Sequence, residues 1–118
     1  MEPKKLDLLV RKFYGLSVLS HTSHINTRVF AQHEALGDFY KKVTEFKDRL
    51  IEYSIGSGYI TKVDIPILEI GSDIISQAAL LADQFCEFAE ESDDEALCNI
   101  AGEFEESVGK LKYLFLFK

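Results

Sequence analysis

The sequence predicts an all-α fold, a four-helix bundle of two antiparallel hairpins with one long connection between the second and third helices. Apolar residues recur at helical spacing in four separate stretches. That pattern is broken at length only once, in SIGSGYITKVD with Gly56 and Gly58. The chain of 118 residues, 47% hydrophobic and without a low-complexity tract, suits one domain over residues 1–118 with one core.

Each element has its own signal. Pro3 is tolerated in a first helical turn, and Leu6, Leu9, Val10, Phe13, Leu16 and Ser20 follow at helical spacing, so a first helix is predicted from about Pro3 to His24. Asn26 or Thr27 is a candidate cap for the second helix, whose stripe is Phe30, Leu36, Phe39, Tyr40, Val43, Phe46 and Leu50, ending near Tyr53. The long connection ends on Asp64, an N-cap type, with Pro66 in the first turn of the third helix. That helix is expected to bury Leu68, Ile74, Ile75, Ala78, Leu81, Ala82, Phe85 and Phe88, to contain Gly71, and to stop near Glu91. Ser92 to Glu95 has the form of a capping box, which starts the fourth helix. Leu97, Ile100, Ala101, Phe104, Val108, Leu111 and Phe115 form its apolar stripe, which ends in KYLFLFK.

Composition excludes several classes. No apolar run approaches the roughly 18 residues of a membrane span, and MEPKKLDLLVRKF carries charges where a signal peptide needs an apolar stretch. A soluble cytoplasmic protein with no membrane partner is expected. Two cysteines, Cys86 and Cys98, are too few for a disulfide framework and read as small packing residues. No nucleophile–base motif or phosphate-binding glycine loop is present, so an enzyme is not indicated on those grounds.

The net charge of -7 is unevenly spread. Residues 1–59 carry nine Lys/Arg against seven Asp/Glu, and residues 60–118 carry four against thirteen. From Asp83 to Glu106 there are ten acids and no Lys or Arg, a surface that repels phosphate backbones and argues against direct nucleic-acid binding. Glu90, Glu91, Asp93 and Asp94 are the candidate docking residues for a basic protein partner. Leu114 and Phe117 exceed what the core needs and point to a homodimer or higher homo-oligomer.

All three histidines fall within HTSHINTRVFAQHEALGDF. On one unbroken helix His24 and His33 would face opposite sides, because nine residues at about 100° each is two and a half turns. A chain reversal near Asn26–Arg28 instead lets them meet across a hairpin, with His21 one turn further from the bend. Asp48 and Glu52 share a face at i and i+4, but lie roughly 20 Å or more along the helix from His33 and well away from its buried stripe. One chain cannot gather all four. Two chains packed antiparallel along the second helix can, with the histidines of one facing the carboxylates of the other.

The stretch LSHTSHINTRVFAQHEALGDFYKKVTEFKDRLIE resembles the first hairpin of the ferritin-like DNA-protection-during-starvation (Dps) proteins, and more closely small ferritin-like proteins of phages. The resemblance covers about a third of the chain. It matches His24 to the first histidine of that pattern, His33 to the second, and Asp48 and Glu52 to its carboxylate pair, and it implies a metal site between subunits. Iron, zinc or manganese suits such a mixed nitrogen and oxygen set. The sequence departs from the pattern in three places. Ile25 stands where a tryptophan is expected, Gly37 stands where an acid is expected with Asp38 one residue displaced, and the second hairpin has no histidine. His21 and Asp38 are therefore the secondary ligand candidates, and ferroxidase-like metal oxidation is expected to be reduced or absent. Two functions follow: a phage-type ferritin-like bundle that self-associates and holds a metal, working in the host cytoplasm, or a metal-free acidic protein that binds and modulates a host protein.

Overall fold

Among the described residues the chain forms four helices. The computed structural model describes residues 3–64 and 71–117. Helix α1 spans Pro3–Asn26, α2 Phe30–Gly56, α3 Ile74–Glu91 and α4 Glu95–Leu114. Among the described residues there is no strand.

The helices form a square in which α1 lies beside α2 and α3, α4 lies beside the same two, and the pairs α1/α4 and α2/α3 are diagonal. Cross-helix pairs give the directions. Lys5 bonds Glu91 and Lys12 bonds Gln84, so α1 and α3 are antiparallel. Arg49 bonds Glu103 and Tyr53 bonds Asp94, so α2 and α4 are antiparallel as well. Helices α2 and α3 therefore run the same way. The end of α2 and the start of α3 lie at opposite ends of the bundle, and residues 57–73 join them, which gives one long crossover between two tight hairpins.

The core is organised on Phe104 of α4, which is fully buried. Its ring meets one from each other helix: Phe13 of α1 at 4.9 Å between centroids, Phe46 of α2 at 5.5 Å and Phe85 of α3 at 6.5 Å. Offset and edge-on aromatic packing of this kind adds to simple area burial. Leu6, Leu36, Val43, Leu50, Leu97 and Leu111 close the layers on either side.

Several boundaries differ from the sequence expectation, each for a local reason. Helix α1 runs to Asn26, and Val29, not Asn26 or Thr27, is the N-cap of α2, its carbonyl accepting the His33 N–H at 2.9 Å. Thr27 still contributes, because its hydroxyl accepts the Val29 N–H at 3.3 Å and donates to Gln32. Helix α2 continues a turn past Tyr53 to Gly56, and Gly58, at φ +78, reverses the chain where a side chain would be strained. The expected start of the third helix at Asp64 and Pro66, and the burial of Leu68, concern a stretch of which residues 65–70 lie outside the described residues. The described helix is capped by Asp73, whose carboxylate accepts the Ser76 N–H and hydroxyl, so Gly71 precedes the helix and is not inside it.

The capping box also shifts. The Ser92 N–H is taken by the Phe88 carbonyl and its hydroxyl donates to the same oxygen, so Glu95 has no free donor there to return to. Asp93, at φ 50, turns the chain, and Asp94 becomes the N-cap of α4, accepting the Leu97 N–H at 3.1 Å.

The first hairpin is longer than the second: 24 and 27 residues against 18 and 20. The two are level where Lys5 meets Glu91 and Tyr53 meets Asp94, so the excess of one to two turns projects at the opposite end. Phe30, expected in the buried stripe, is 76% exposed on this projecting tip, beyond the described helices of the second hairpin.

Candidate functional site

The projecting tip of the first hairpin holds the histidines. His24 lies in the last turn of α1 and His33 in the first turn of α2. Their imidazoles stack with centroids 3.9 Å apart and planes 19° apart. His24 Nδ1 lies 2.7 Å from the His33 carbonyl oxygen, and His33 Nδ1 lies 2.8 Å from the His24 carbonyl oxygen. A carbonyl can only accept, so both Nδ1 atoms carry the proton and donate it. The His24 carbonyl sits in the last turn of its helix, where intrahelical partners run out, and His33 supplies the missing donor.

This exchange fixes the tautomer of both neutral rings. Each Nε2 keeps its lone pair, which is the state in which histidine binds metals when its other nitrogen is held by a backbone carbonyl. Neither Nε2 has a hydrogen-bond partner among the described residues.

Gly37, one turn beyond His33, makes the stack sterically feasible. A Cβ there would come 3.0 Å from His24 Cε1 and 3.3 Å from Nδ1, so the ring of His24 occupies the space an acidic side chain at this position would use. His21 packs separately against Tyr40, with centroids 4.8 Å apart. Together these residues line a surface depression of about 320 Å³ that also takes in Glu34 and Asp38.

The stacking limits how metal could be held. An ion bound to imidazole lies in the ring plane about 2.0–2.1 Å from the nitrogen. Two planes stacked at 3.9 Å and inclined by 19° do not converge at that distance, so one ion cannot sit in both. The pair as it stands offers one nitrogen to each of two ions.

Asp48 and Glu52 are exposed on the far half of α2, 15 and 19 residues beyond His33 in the chain, and do not approach the histidines. No group of three or more His, Cys, Asp or Glu side chains able to hold a metal forms within one chain among the described residues. Glu45 pairs along its own helix with Lys42 at 3.8 Å, and Arg49 pairs across the bundle with Glu103 at 2.7 Å. Arg49 turns toward α4 because an acid on the neighbouring helix lies within its reach.

The acidic candidates separate by environment. Glu90 and Asp93 are exposed. Glu91 pairs with Lys5 at 2.8 Å, which holds its carboxyl below the usual range. Asp94 is buried, and its carboxylate accepts from Tyr59 at 2.6 Å and Tyr53 at 2.8 Å as well as from Leu97 N–H. The Tyr59 bond, foremost among these, holds the Asp94 carboxyl below its ordinary value, and the same bond pushes the Tyr59 phenol up to about 12. Two tyrosines around a cap aspartate tie the end of α2 and the start of the crossover to the α3–α4 turn. The sequence reading assigned Asp94 to partner docking, because spacing along the chain does not reveal which acid of a run faces inward.

Cys86 and Cys98 are free and half-buried, and burial with the nearby Glu105 carboxylate pushes the Cys86 thiol up to about 11. A thiol so shifted is a poor nucleophile and a poor ligand at neutral pH.

No protein-family model, curated protein or solved structure matches this chain.

Proposed function

We propose that this protein is a small ferritin-like helical bundle that self-associates and binds metal ions at a site shared between subunits. The observation that carries the reading is the reciprocal bonding of His24 and His33, in which each Nδ1–H is held by a carbonyl and each Nε2 is left as a ligand. Asp48 and Glu52 of a second copy, packed antiparallel along α2, would supply the oxygen ligands. His21 and Asp38, which line the same depression, are the secondary ligands. The single long crossover between hairpins is the connection pattern of ferritin-like bundles and supports the same reading. Iron, zinc and manganese all suit the donor set. With Gly37 where an acid would stand, oxidation of iron as a substrate is reduced or absent, and a phage-type protein acting in a host cytoplasm is the biological setting.

The test is a mass measurement in solution with metal analysis of the same sample, after supply of iron, zinc or manganese. A dimer or larger species holding metal that is lost in both His33→Ala and Asp48→Asn supports the reading. A metal-free dimer, or a monomer, overturns it.

A second reading rests on the exposure of Glu90 and Asp93 beside the α3–α4 turn. In it the protein is a metal-free acidic module that docks a basic protein partner. Charge reversal at Glu90 and Asp93 then abolishes salt-sensitive partner capture while His33→Ala leaves it unchanged.

A further inference from the structure

A groove between α1 and α3 offers about 340 Å³ over an aliphatic floor of Leu16, Leu19 and Leu81, with Leu80, 48% exposed, on its rim. Its polar lining is Lys12 of α1 with Gln77 and Gln84 of α3, and no acid lines it among the described residues. Gly71 makes room for the Gln77 amide, because a Cβ at that position would collide with it. Of the described Lys and Arg side chains three are half-buried: Lys47 lies over the Tyr14 ring, Arg49 is paired with Glu103, and Lys12 has only the neutral Gln84. An ammonium only donates, so Gln84 turns its oxygen to Lys12 and keeps its own N–H groups for another acceptor. The remaining N–H bonds of Lys12 also have no acceptor among the described residues. The neighbouring depressions are different. The α2–α4 groove sets Asp38 and Glu45 among its lysines, with Lys42 paired to Glu45, and the depression next along α1 and α3 holds Glu87 and Glu91, the latter paired with Lys5. Asp73, at the start of α3, is taken up by Ser76, and Asp83 is exposed.

We infer that the α1–α3 groove binds a small aliphatic carboxylate, its anionic head on Lys12 and the Gln84 amide and its alkyl body on the leucines. This rests on the uncompensated cation above an aliphatic floor and does not depend on the metal reading. A cation taken half out of water is costly without an anion, and a carboxylate supplies one through a charge-assisted hydrogen bond. The single cation matches a single negative charge. A phosphate monoester, with close to two charges at neutral pH, would leave one of them uncompensated. No aromatic ring lines the groove among the described residues, so an aromatic acid gains no stacking there over an alkyl one. The volume falls at the low end of the roughly 300–1,000 Å³ of small-molecule sites, which suits a short-chain ligand.

The test is titration of the full chain, followed by NMR, with octanoate, octan-1-ol and octylamine, three probes that share one alkyl chain and differ in charge. Octanoate is expected to bind and to shift the Gly71 backbone amide and the side-chain amides of Gln77 and Gln84. Octan-1-ol should bind more weakly at the same signals, and octylamine should not bind. Lys12→Met keeps the aliphatic stem and removes the charge, so it should weaken octanoate roughly tenfold or more, the effect of losing one charge-assisted hydrogen bond, and leave octan-1-ol unchanged. Lys12→Arg should retain octanoate binding, and Lys110→Met, at a cation of the α2–α4 groove, should not affect it. Unchanged thermal unfolding shows that each variant keeps the fold. Octanoate that leaves these groove signals in place overturns the proposal, as does octylamine that binds as well as octanoate, or octanoate binding that Lys12→Met does not weaken. The comparison of probes on the unsubstituted chain decides the matter even where a variant fails to fold.

Discussion

The backbone of Gly37 lies directly beneath the imidazole of His24, so close that a Cβ at this position would stand 3.0 Å from His24 Cε1. Gly37→Ala should therefore push the His24 ring off the His33 ring and lengthen the Nδ1–carbonyl bond. Stability should change by less than about 1 kcal/mol, since alanine gains roughly that much over glycine inside a helix and offsets the lost contact. The decisive readout is the NMR signals of the two imidazoles. Unshifted His24 and His33 resonances in the variant would show that the glycine has no role in the stack.

Asp94 makes stability depend on acid. Its carboxyl is held below its ordinary value by the Tyr59 bond, so its contribution is present above the unfolded pKa near 3.9 and is lost as pH falls through the lower folded value. Tyr59, raised to about 12, acts on the other side: its contribution is complete below about 10 and is lost as pH rises from there through 12. Asp94→Ala should cost about 2–3 kcal/mol in denaturant unfolding at pH 7, from loss of the cap and of the tyrosine acceptor. Between pH 5 and pH 2 the variant should lose less stability than the wild type, and equal losses would contradict the assignment.

Ser54 points the other way. It is fully buried, and its hydroxyl has no hydrogen-bond partner among the described residues, although its carbonyl accepts from Tyr59 and Ile60. Ser54→Ala removes a buried polar atom without creating a large cavity and should be neutral or stabilising by up to about 1 kcal/mol. A loss greater than that in urea unfolding would reveal a partner for the hydroxyl.

Phe104 meets aromatic rings from all three other helices, so truncating it opens the core on every side at once. Phe104→Ala should cost about 3–5 kcal/mol, the range for a buried phenylalanine. For comparison, Leu80→Ala, at an exposed position on α3, should change the unfolding midpoint little. Similar losses for the two would remove Phe104 from the centre of the core.

The helices were legible because their apolar spacing is a strictly local signal, and Phe13, Val43, Phe85 and Phe104 are buried as that spacing requires. The meeting of His24 and His33 was legible too, because it depended only on a reversal near Asn26–Arg28. What could not be read was how acids and hydroxyls choose partners across helices. Ser92 has the sequence form of a cap, but the Asp93 turn hands that role to Asp94, and Arg49 on α2 takes its partner, Glu103, from α4. Gly37 was visible as a missing acid, but its positive role in seating a ring appears only once the two helices face each other.

The parallel course of α2 and α3 has a kinetic consequence. Each hairpin closes through a loop of a few residues, an inexpensive step in chain entropy, whereas bringing α3 against α1 and α4 against α2 closes the loop of residues 57–73 and everything folded on either side. The two hairpins should therefore form early as separate units, and their docking should limit the folding rate. Substitutions at the Lys5–Glu91 and Tyr53–Asp94 contacts would then chiefly slow docking or speed undocking, whereas those at the His24–His33 tip would act within one unit.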